Sequence, residues 1–176
     1  PTGNLYVKDA EKDMDRLSSF LTTHSKQIDV VRVTLDSHQE MHIAHPVFWK
    51  DKNGNNPAPF TMITLKDFQN GVWTAARPGL NNVARNYLEQ LEKNGRYMLC
   101  IWPPHCIIGT TGHSVYPSFA KALSTWAKTK LTLVDYVTKG SNYSTEHYSA
   151  VQADVPDAND PSTQINVGFL TSLQQA

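Results

Sequence analysis

The strongest constraint on the fold is an alternation of short apolar segments with helical patterns along the chain. The apolar segments cover residues 28–35, 97–102 and 131–138 and are rich in β-branched and other apolar residues, which favour strands. Segments with helical periodicity lie before, between and after them. Strands that alternate with helices are typical of a parallel sheet covered on both faces. The sequence therefore predicts an α/β fold with a doubly wound, Rossmann-like parallel sheet and helices on both faces.

Four segments have the apolar spacing of amphipathic helices. The first covers residues 9–25, and the clearest covers residues 79–94, where one apolar stripe ends before Gly95, a candidate C-cap. Two further helices are expected after Ser114 and after Ser162, because serine is a favourable N-cap residue. Since a helix at each end of the chain should be attached to a strand, we expect the first and last strands of the sheet to lie outside this sequence.

Residues 39–78 are the least regular part of the sequence. They contain the strong turn signal N-G-N-N-P-A-P at residues 53–59. A loop of this length inside a compact domain is usually functional or disordered. Its aromatic content predicts an ordered segment that covers another part of the molecule. The large aromatic residues are Phe48, Trp49, Phe60, Phe68 and Trp73.

Length and charge exclude several classes of function. The chain has 176 residues and a formal net charge of zero, which suits one domain over residues 1–176. The balanced charge offers no electrostatic surface for nucleic acid or an anionic membrane, and no apolar run approaches the roughly 20 residues of a membrane helix. Cys100 and Cys106 are predicted to be free thiols, which indicates a reducing, cytoplasmic location. The sequence is compatible with a homo-oligomer.

Both ends of the sequence have the features of a partial domain. It begins with Pro1-Thr2-Gly3, without an initiator methionine, and it ends at Ala176 inside a helical pattern that has no cap or breaker. We therefore expect residues 1–176 to form the middle part of a longer domain.

Polar side chains suited to chemistry follow each of the three predicted strands. Asp36 and His38 follow the first strand, His105 follows the second, and Lys139 follows the third. Ligands of open α/β sheets bind at the carboxyl ends of the strands, and a carboxylate with two imidazoles can hold Zn²⁺, Fe²⁺ or Mn²⁺. The sequence therefore predicts Asp36, His38 and His105 as metal ligands. Lys139 would act beside them as a fixed cation or as an amine of lowered pKa.

Several of these residues also have a simpler structural interpretation. Asp36 and the following Ser37 suit a turn after a strand, and a lysine at a strand end is often a surface residue. His42 and His45 are further candidate ligands, although a solvated loop histidine is the favoured interpretation of His45. The convergence of three strand ends on one edge of the sheet favours the site over these alternatives.

Neither cysteine is the expected nucleophile. Cys106 is adjacent to His105, but neighbouring side chains usually point apart, so the histidine is poorly placed to activate the thiol. We interpret Cys106 as a structural residue under the loop at residues 109–112, and Cys100 as a core residue. Trp102 lies at the mouth of the same predicted strand, where its ring is available to stack on a planar substrate.

Three segments, in the same order, resemble the nicotinamidase/isochorismatase-like cysteine hydrolases, and nicotinamidases in particular. Residues 102–112, W-P-P-H-C-I-I-G-T-T-G, are similar to the nicotinamidase pattern W-P-x-H-C-x-x-G-T-x-G. Residues 36–43, D-S-H-Q-E-M-H-I, resemble the D-W-H…H-I segment, and residues 139–150 begin with K-G and end with Y-S-A, like the third segment. The likeness covers most of the chain but is faint over residues 46–96.

The resemblance implies a doubly wound α/β fold and the hydrolysis of a small carboxamide, such as nicotinamide, to an acid and ammonia through a cysteine thioester. In this family an aspartate acts as general base and a lysine is a third catalytic group, to which Lys139 corresponds. The implied cofactor is a divalent metal, zinc first, with iron and manganese as alternatives. The implied metal ligands are Asp36, His38, His105 and additionally His42, and the implied substrate-binding residues are Trp102 and Tyr148.

The sequence departs from the family pattern at several places. The family's catalytic aspartate would lie before Pro1 and its nucleophilic cysteine beyond Ala176, so the chain would carry one of three catalytic residues. Ser37 stands where the family usually has tryptophan. Two alternatives stay open: a non-catalytic metal- or ligand-binding protein of this fold, and a hydrolase that uses metal-bound water without a cysteine.

Overall fold

The computed structural model describes residues 3–95 and 97–175, so Pro1, Thr2, Arg96 and the chain end at Ala176 lie outside the described residues. The helices are α1 (Ala10–Thr23), α2 (Leu65–Gln69), α3 (Asn81–Asn94), α4 (Pro117–Lys130) and α5 (Val167–Gln174). The strands are β1 (Arg32–Asp36), β2 (Trp49–Lys50), β3 (Met62–Ile63), β4 (Thr74–Ala75), β5 (Leu99–Cys100) and β6 (Asp135–Lys139). Within the described ranges, no helix has both the length and the apolar character that crossing a bilayer requires.

A parallel pair of strands, β1 and β6, confirms the predicted α/β class with a parallel sheet. The register pairs Asp36 with Lys139, so both strands end at the same edge. Both strands begin later than the sequence predicts. Leu131 ends helix α4 with a left-handed backbone (φ 52°) and is 93% exposed. Residues 131–134 therefore connect the helix to β6 and do not belong to the strand.

Helices α1 and α4 pack against each other and against β1. Their shared core contains Leu21 of α1 and Trp126 of α4, and Val33 of β1 packs against it. The Trp126 indole donates a hydrogen bond to the carbonyl of Ile28 (3.0 Å), so its polar atom is satisfied although the ring is buried. Burial of each large apolar side chain contributes about 1.5–3 kcal/mol, which fixes both helices on the strand.

The region 39–78 is ordered, as its aromatic content predicts, and packs on helix α3. Phe48 and Trp49 are fully buried and belong to the same core as Tyr87 on the apolar stripe of α3. The Trp49 indole donates a hydrogen bond to the carbonyl of Ile43 (2.6 Å). Strand β2 pairs antiparallel with β4 inside this region. The result is a second core that supports the chain leading out of β1.

The prediction that residues 97–102 form a strand of the parallel sheet is wrong. Strand β5 comprises Leu99 and Cys100 and pairs antiparallel with β3. Next to it, the N–H of Ile101 donates to the carbonyl of Thr61 (2.9 Å). The region 39–78 thus supplies the hydrogen bonds that a parallel neighbour would have supplied, and two prolines follow at once and end the strand.

The two predicted serine caps are also wrong. Helix α4 begins at Pro117, whose ring suits the first helical position, and no described side chain caps it. Ser114 instead follows a short 3-10 turn. Helix α5 is capped by Asn166, whose side-chain oxygen accepts a hydrogen bond from the N–H of Phe169 (3.0 Å). Ser162 lies in a separate 3-10 turn that precedes this helix.

Candidate active site

The ends of β1 and β6 bring Asp36 and Lys139 into direct contact. The Lys139 ammonium donates one hydrogen bond to the Asp36 carboxylate and another to the carbonyl of His147 (3.2 Å). The N–H of Ser37 donates to the Lys139 carbonyl (2.8 Å), which extends the pairing one residue beyond the strand. These contacts hold the positive charge of Lys139 at the edge of the sheet where both strands end.

His38 connects β1 to the segment that contains His105. Its N–H donates to the carbonyl of Cys106 (3.1 Å), and its carbonyl accepts from the N–H of Ile108 (3.0 Å). The ring centroids of His38 and His105 lie 4.6 Å apart, and one potential ligand atom of each of Asp36, His38 and His105 lies within 4.8 Å of the others. The three residues therefore meet, although the segment before His105 is not part of the parallel sheet.

Gly140 makes room for the His38 ring. Its φ of 84° lies in the left-handed region, which favours glycine. Its carbonyl accepts a hydrogen bond from His38 Nδ1 (3.0 Å). A Cβ atom at this position would lie 2.6 Å from His38 Cε1. The left-handed backbone and the close approach of the His38 ring both require glycine at this position. They explain why a glycine follows Lys139 in the sequence.

Two more histidines complete a buried cluster around His38. His42 and His45 are 0% and 1% exposed, and their ring centroids lie 5.1 and 5.6 Å from that of His38. The interpretation of His45 as a solvated histidine is wrong, because the backbone turns at this point, with the His45 N–H donating to the His42 carbonyl (2.9 Å). The sequence signal for this pair is the spacing of two histidines within one tight turn.

Burial keeps the histidines of this cluster neutral. Burial first, and then the neighbouring His105 and His45, lower the pKa of His38 to about 4. Burial, followed by His38 and His45, lowers the pKa of His42 to about 2. Burial also lowers the pKa of His45. Near neutral pH the three rings therefore have the neutral form that binds metal ions.

Glu146 also lies at the candidate site, although no motif in the sequence predicts it. Its side chain is 6% exposed, and its Oε1 atom lies 3.2 Å from His42 Nδ1. Burial, followed by the negative charge of Asp154, raises the pKa of Glu146 to about 7. The residue lies between the K-G and Y-S-A ends of the 139–150 segment, so a carboxylate inside that segment is the available sequence signal.

A small cavity opens beside these side chains. Its volume is about 190 Å³, below the range of about 300–1,000 Å³ that is usual for drug-sized ligands, which favours a small ligand. The Trp102 indole donates a hydrogen bond to the Tyr148 hydroxyl (3.0 Å) with the rings nearly perpendicular (88°), and they form one aromatic wall. The lining residues are Leu5, Asp36, His38, Trp102, His105, Lys139, Glu146, His147 and Tyr148.

Neither thiol has the environment of an activated nucleophile. Burial, followed by the Asp36 carboxylate, raises the pKa of the Cys106 thiol, and burial raises that of Cys100. The prediction of Cys100 as a core residue is wrong, because Leu99 takes the buried position of β5 and Cys100 is partly exposed on the opposite face.

Acid is expected to destabilise the metal-free protein through the histidine cluster. Between pH 6.5 and about 4, the unfolded chain protonates His38, His42 and His45 more readily than the folded protein does, so stability falls as the pH falls. Glu146 opposes this trend, because its raised pKa favours the folded state at lower pH. Three histidines oppose one carboxyl group, so we expect a net loss of stability in acid.

Denaturant unfolding of the chelated protein at about pH 7 and about pH 5 measures this loss of stability. In Glu146→Gln the opposing titration is absent, and we expect the loss of stability in acid to be steeper. Equal unfolding free energies of the unmodified protein at the two pH values would contradict the prediction.

The chain is an α/β protein whose candidate site lies at the carboxyl edge of a parallel strand pair, and its fold is that of the nicotinamidases. The yeast nicotinamidase bound to the inhibitor nicotinaldehyde matches 100% of this chain and 64% of its own, with a TM-score of 0.59 at 20% identity. A nicotinamidase and pyrazinamidase of Acinetobacter baumanii matches 98% of this chain and 58% of its own, with a TM-score of 0.55 at 20% identity. Another structure of the yeast nicotinamidase has a TM-score of 0.57 at 21% identity and matches 98% of this chain and 63% of its own.

This chain therefore spans less than two thirds of the length of these solved structures. No family model matches its sequence, and no curated protein matches it. At such low identity the likeness establishes the fold, and the function has to be argued from the site.

Proposed function

We propose that this chain supplies the metal centre and the catalytic lysine of an amidohydrolase that converts a small carboxamide, such as nicotinamide, to the acid and ammonia. The observation that carries the proposal is the convergence of Asp36, His38, His105 and Lys139 on one small cavity. The solved structures of the same fold are nicotinamidases, which supports this chemistry over other hydrolytic reactions.

The donor set fits a divalent metal. His105 Nδ1 lies 2.9 Å from the Pro103 carbonyl and His38 Nδ1 lies 3.0 Å from the Gly140 carbonyl. Since a carbonyl only accepts, each Nδ1 carries the proton and each Nε2 keeps its lone pair, the usual arrangement of metal-binding histidines. A carboxylate with two imidazoles suits Zn²⁺ first and Fe²⁺ or Mn²⁺ as alternatives. When bound, the metal would supply Lewis acidity and a fixed point that orients the substrate.

Lys139 would stabilise negative charge that develops in the cavity. Its ammonium group is oriented by the Asp36 carboxylate and the His147 carbonyl, so little reorganisation is needed during the reaction. A third N–H of the ammonium stays available for the substrate or the attacking group. Its location beside the ligand candidates matches the role that the family resemblance implies for it.

Trp102 and Tyr148 would bind the planar part of the substrate. Their rings meet nearly at right angles at one side of the cavity, and the hydrogen bond between them fixes both. Planar rings pack well on aromatic faces and edges. The cavity volume of about 190 Å³ suits a single-ring amide better than a longer one.

The nucleophilic cysteine and the general base are taken, in this proposal, from residues outside this sequence. The thiolate would attack the amide carbon, ammonia would leave after protonation, and water would hydrolyse the thioester. Cys106 and Cys100 are not assigned this role, because burial raises the pKa of both thiols and a thiolate is the reactive form.

The test is ammonia release by the zinc-loaded protein expressed from its complete reading frame. Nicotinamide is the first substrate and pyrazinamide the second, and the variant with Cys100→Ser and Cys106→Ser serves as control. We expect turnover in the protein and in this variant, and loss of turnover in both after alkylation or chelation. If the protein releases ammonia from neither amide, the proposal is wrong. Activity that survives alkylation but not chelation would favour metal-bound water as nucleophile.

A further inference from the structure

Ser37 and His113 form a polar contact behind the candidate metal site. The Ser37 Oγ atom lies 2.7 Å from His113 Nε2, and Ser37 is 1% exposed. A serine so close to a histidine resembles a nucleophile and its base, but burial keeps a substrate away from this hydroxyl. Ser37 also stands where the family usually has tryptophan. The hydroxyl is therefore a feature of this chain, and the proposed reaction gives it no role.

Ser37 lies between two of the candidate metal ligands. The hydrogen bond from its N–H to the Lys139 carbonyl (2.8 Å) continues the strand pairing past Asp36. Asp36 and His38 both line the cavity, and neighbouring residues of an extended chain point to opposite sides. The contact between Ser37 and His113 therefore holds the end of β1 from the side opposite to the cavity.

His113 lies at the far end of the loop that follows His105. The start of this loop is bound to the end of β1 through the backbone. There the His38 N–H donates to the Cys106 carbonyl (3.1 Å), and the His38 carbonyl accepts from the N–H of Ile108 (3.0 Å). The loop then folds back through a 3-10 turn that ends at His113, whose ring reaches the strand end again. Both ends of the loop are thus attached to neighbouring residues of one strand end.

The backbone at Cys106 explains why the loop needs this second attachment. Its φ of 48° lies in the left-handed region, which is unfavourable for a residue with a side chain. Such a conformation persists only where the surrounding structure holds it. Because Cys106 directly follows His105, relaxation of this residue would move His105 relative to His38.

We propose that Ser37 and His113 are positioning residues that hold the loop after His105 on the end of β1. Their hydrogen bond keeps His105 within reach of the two ligand candidates on that strand. Neither side chain lines the cavity, so the effect is on the geometry of the ligands. Because the loop is restrained before an ion binds, less binding free energy is lost in ordering the ligands. This inference rests on the proposed function in taking Asp36, His38 and His105 as the metal ligands.

Zinc competition on the protein expressed from its complete reading frame tests the proposal. We expect Ser37→Ala and His113→Leu each to weaken zinc binding by about tenfold. The double variant should lose no more, because both substitutions remove the same hydrogen bond. His113→Gln retains a side-chain N–H and should keep most of the affinity. Ser118→Ala is the matched control, because Ser118 donates to Asp15 (2.8 Å) between two helices, away from the cavity. It should bind zinc normally.

Hydrogen exchange of the metal-free protein measures the attachment of the loop without any ion. The N–H groups of His38 and Ile108 make the backbone hydrogen bonds between strand and loop. We expect both to exchange about tenfold faster in Ser37→Ala and His113→Leu, the effect of losing one hydrogen bond of ordinary strength. Exchange of these two groups in Ser118→Ala should be unchanged.

Unchanged exchange or unchanged zinc affinity in His113→Leu would overturn the proposal, even if Ser37→Ala does not fold. The proposal is also wrong if the two single effects on zinc binding add, or if Ser118→Ala loses as much zinc affinity. None of these measurements uses an amide substrate. If the unmodified protein binds no zinc, the proposed metal centre is wrong, and hydrogen exchange alone then decides whether Ser37 and His113 hold the loop.

Discussion

Gly140→Ala is expected to displace His38 and to weaken zinc binding by more than about tenfold, the usual effect of disturbing the support of a metal ligand. The new Cβ atom would lie 2.6 Å from His38 Cε1 and 2.9 Å from its Nδ1 atom, so the ring has to move. Its hydrogen bond to the Gly140 carbonyl (3.0 Å) is then lost. Overpacking adds about 1–3 kcal/mol to the cost of a left-handed alanine, about 1–2 kcal/mol.

Gly54→Ala is the matched control for this substitution. Gly54 has a φ of 85°, against 84° for Gly140, but a Cβ atom there would meet nothing within 4 Å. The control therefore isolates the backbone cost, and we expect it to lose about 1–2 kcal/mol and to bind zinc normally. Denaturant unfolding and zinc competition measure both variants. Equal effects of the two substitutions on zinc binding would show that the contact with His38 has no role.

The elements that depend on local sequence were predictable. Helix α3 covers Asn81–Asn94, close to the predicted 79–94, and Gly95 ends it with a φ of 62°, as the C-cap prediction requires. Helix α1 likewise falls within the predicted segment. Apolar spacing and glycine caps act through residues a few positions apart, so the sequence contains the whole signal.

Strand partners were not predictable, because they depend on residues far apart in the chain. Leu99 was expected in the parallel sheet, yet it pairs with Ile63 in an antiparallel strand. Apolar residues suit a parallel or an antiparallel partner strand, and the region 39–78 contains no strand pattern that predicts this pairing. Phe48, Trp49 and Phe68 of this region do enter a core, whereas Phe60 stays exposed, and only the order of the region followed from its composition.

Some residues of the candidate site could likewise be predicted from the sequence, and others could not. Asp36 and Lys139 could be brought together from sequence, because parallel strands end at one edge and these residues end two of them. The places of His45 and Glu146 in the site could not be predicted from the sequence, since their roles depend on burial that tertiary packing creates. Both lie in irregular segments, where neither periodicity nor a cap indicates which way a side chain points.

Lys139→Met is expected to lower kcat for the amide by about 10²–10³, the usual effect of removing one fixed group that stabilises charge in the transition state. Zinc binding should persist or tighten, because the Asp36 carboxylate loses its ammonium partner and becomes free for the metal. Stability should change little, since an ion pair at a partly exposed site contributes about 1 kcal/mol or less. Steady-state kinetics and zinc competition on the protein from the complete reading frame measure these effects.

Lys130→Met is the matched control, because Lys130 also forms an ion pair, with Asp29 (2.8 Å), but does so at the end of α4, away from the cavity. We expect it to keep kcat and zinc affinity. If the two variants have the same kcat, Lys139 is a structural cation and the catalytic role assigned to it is wrong. If Lys139→Met also loses zinc, its effect acts through the metal centre. The assignment stands only when kcat falls while zinc stays bound, since that combination separates a charge that acts on the substrate from one that holds the site together.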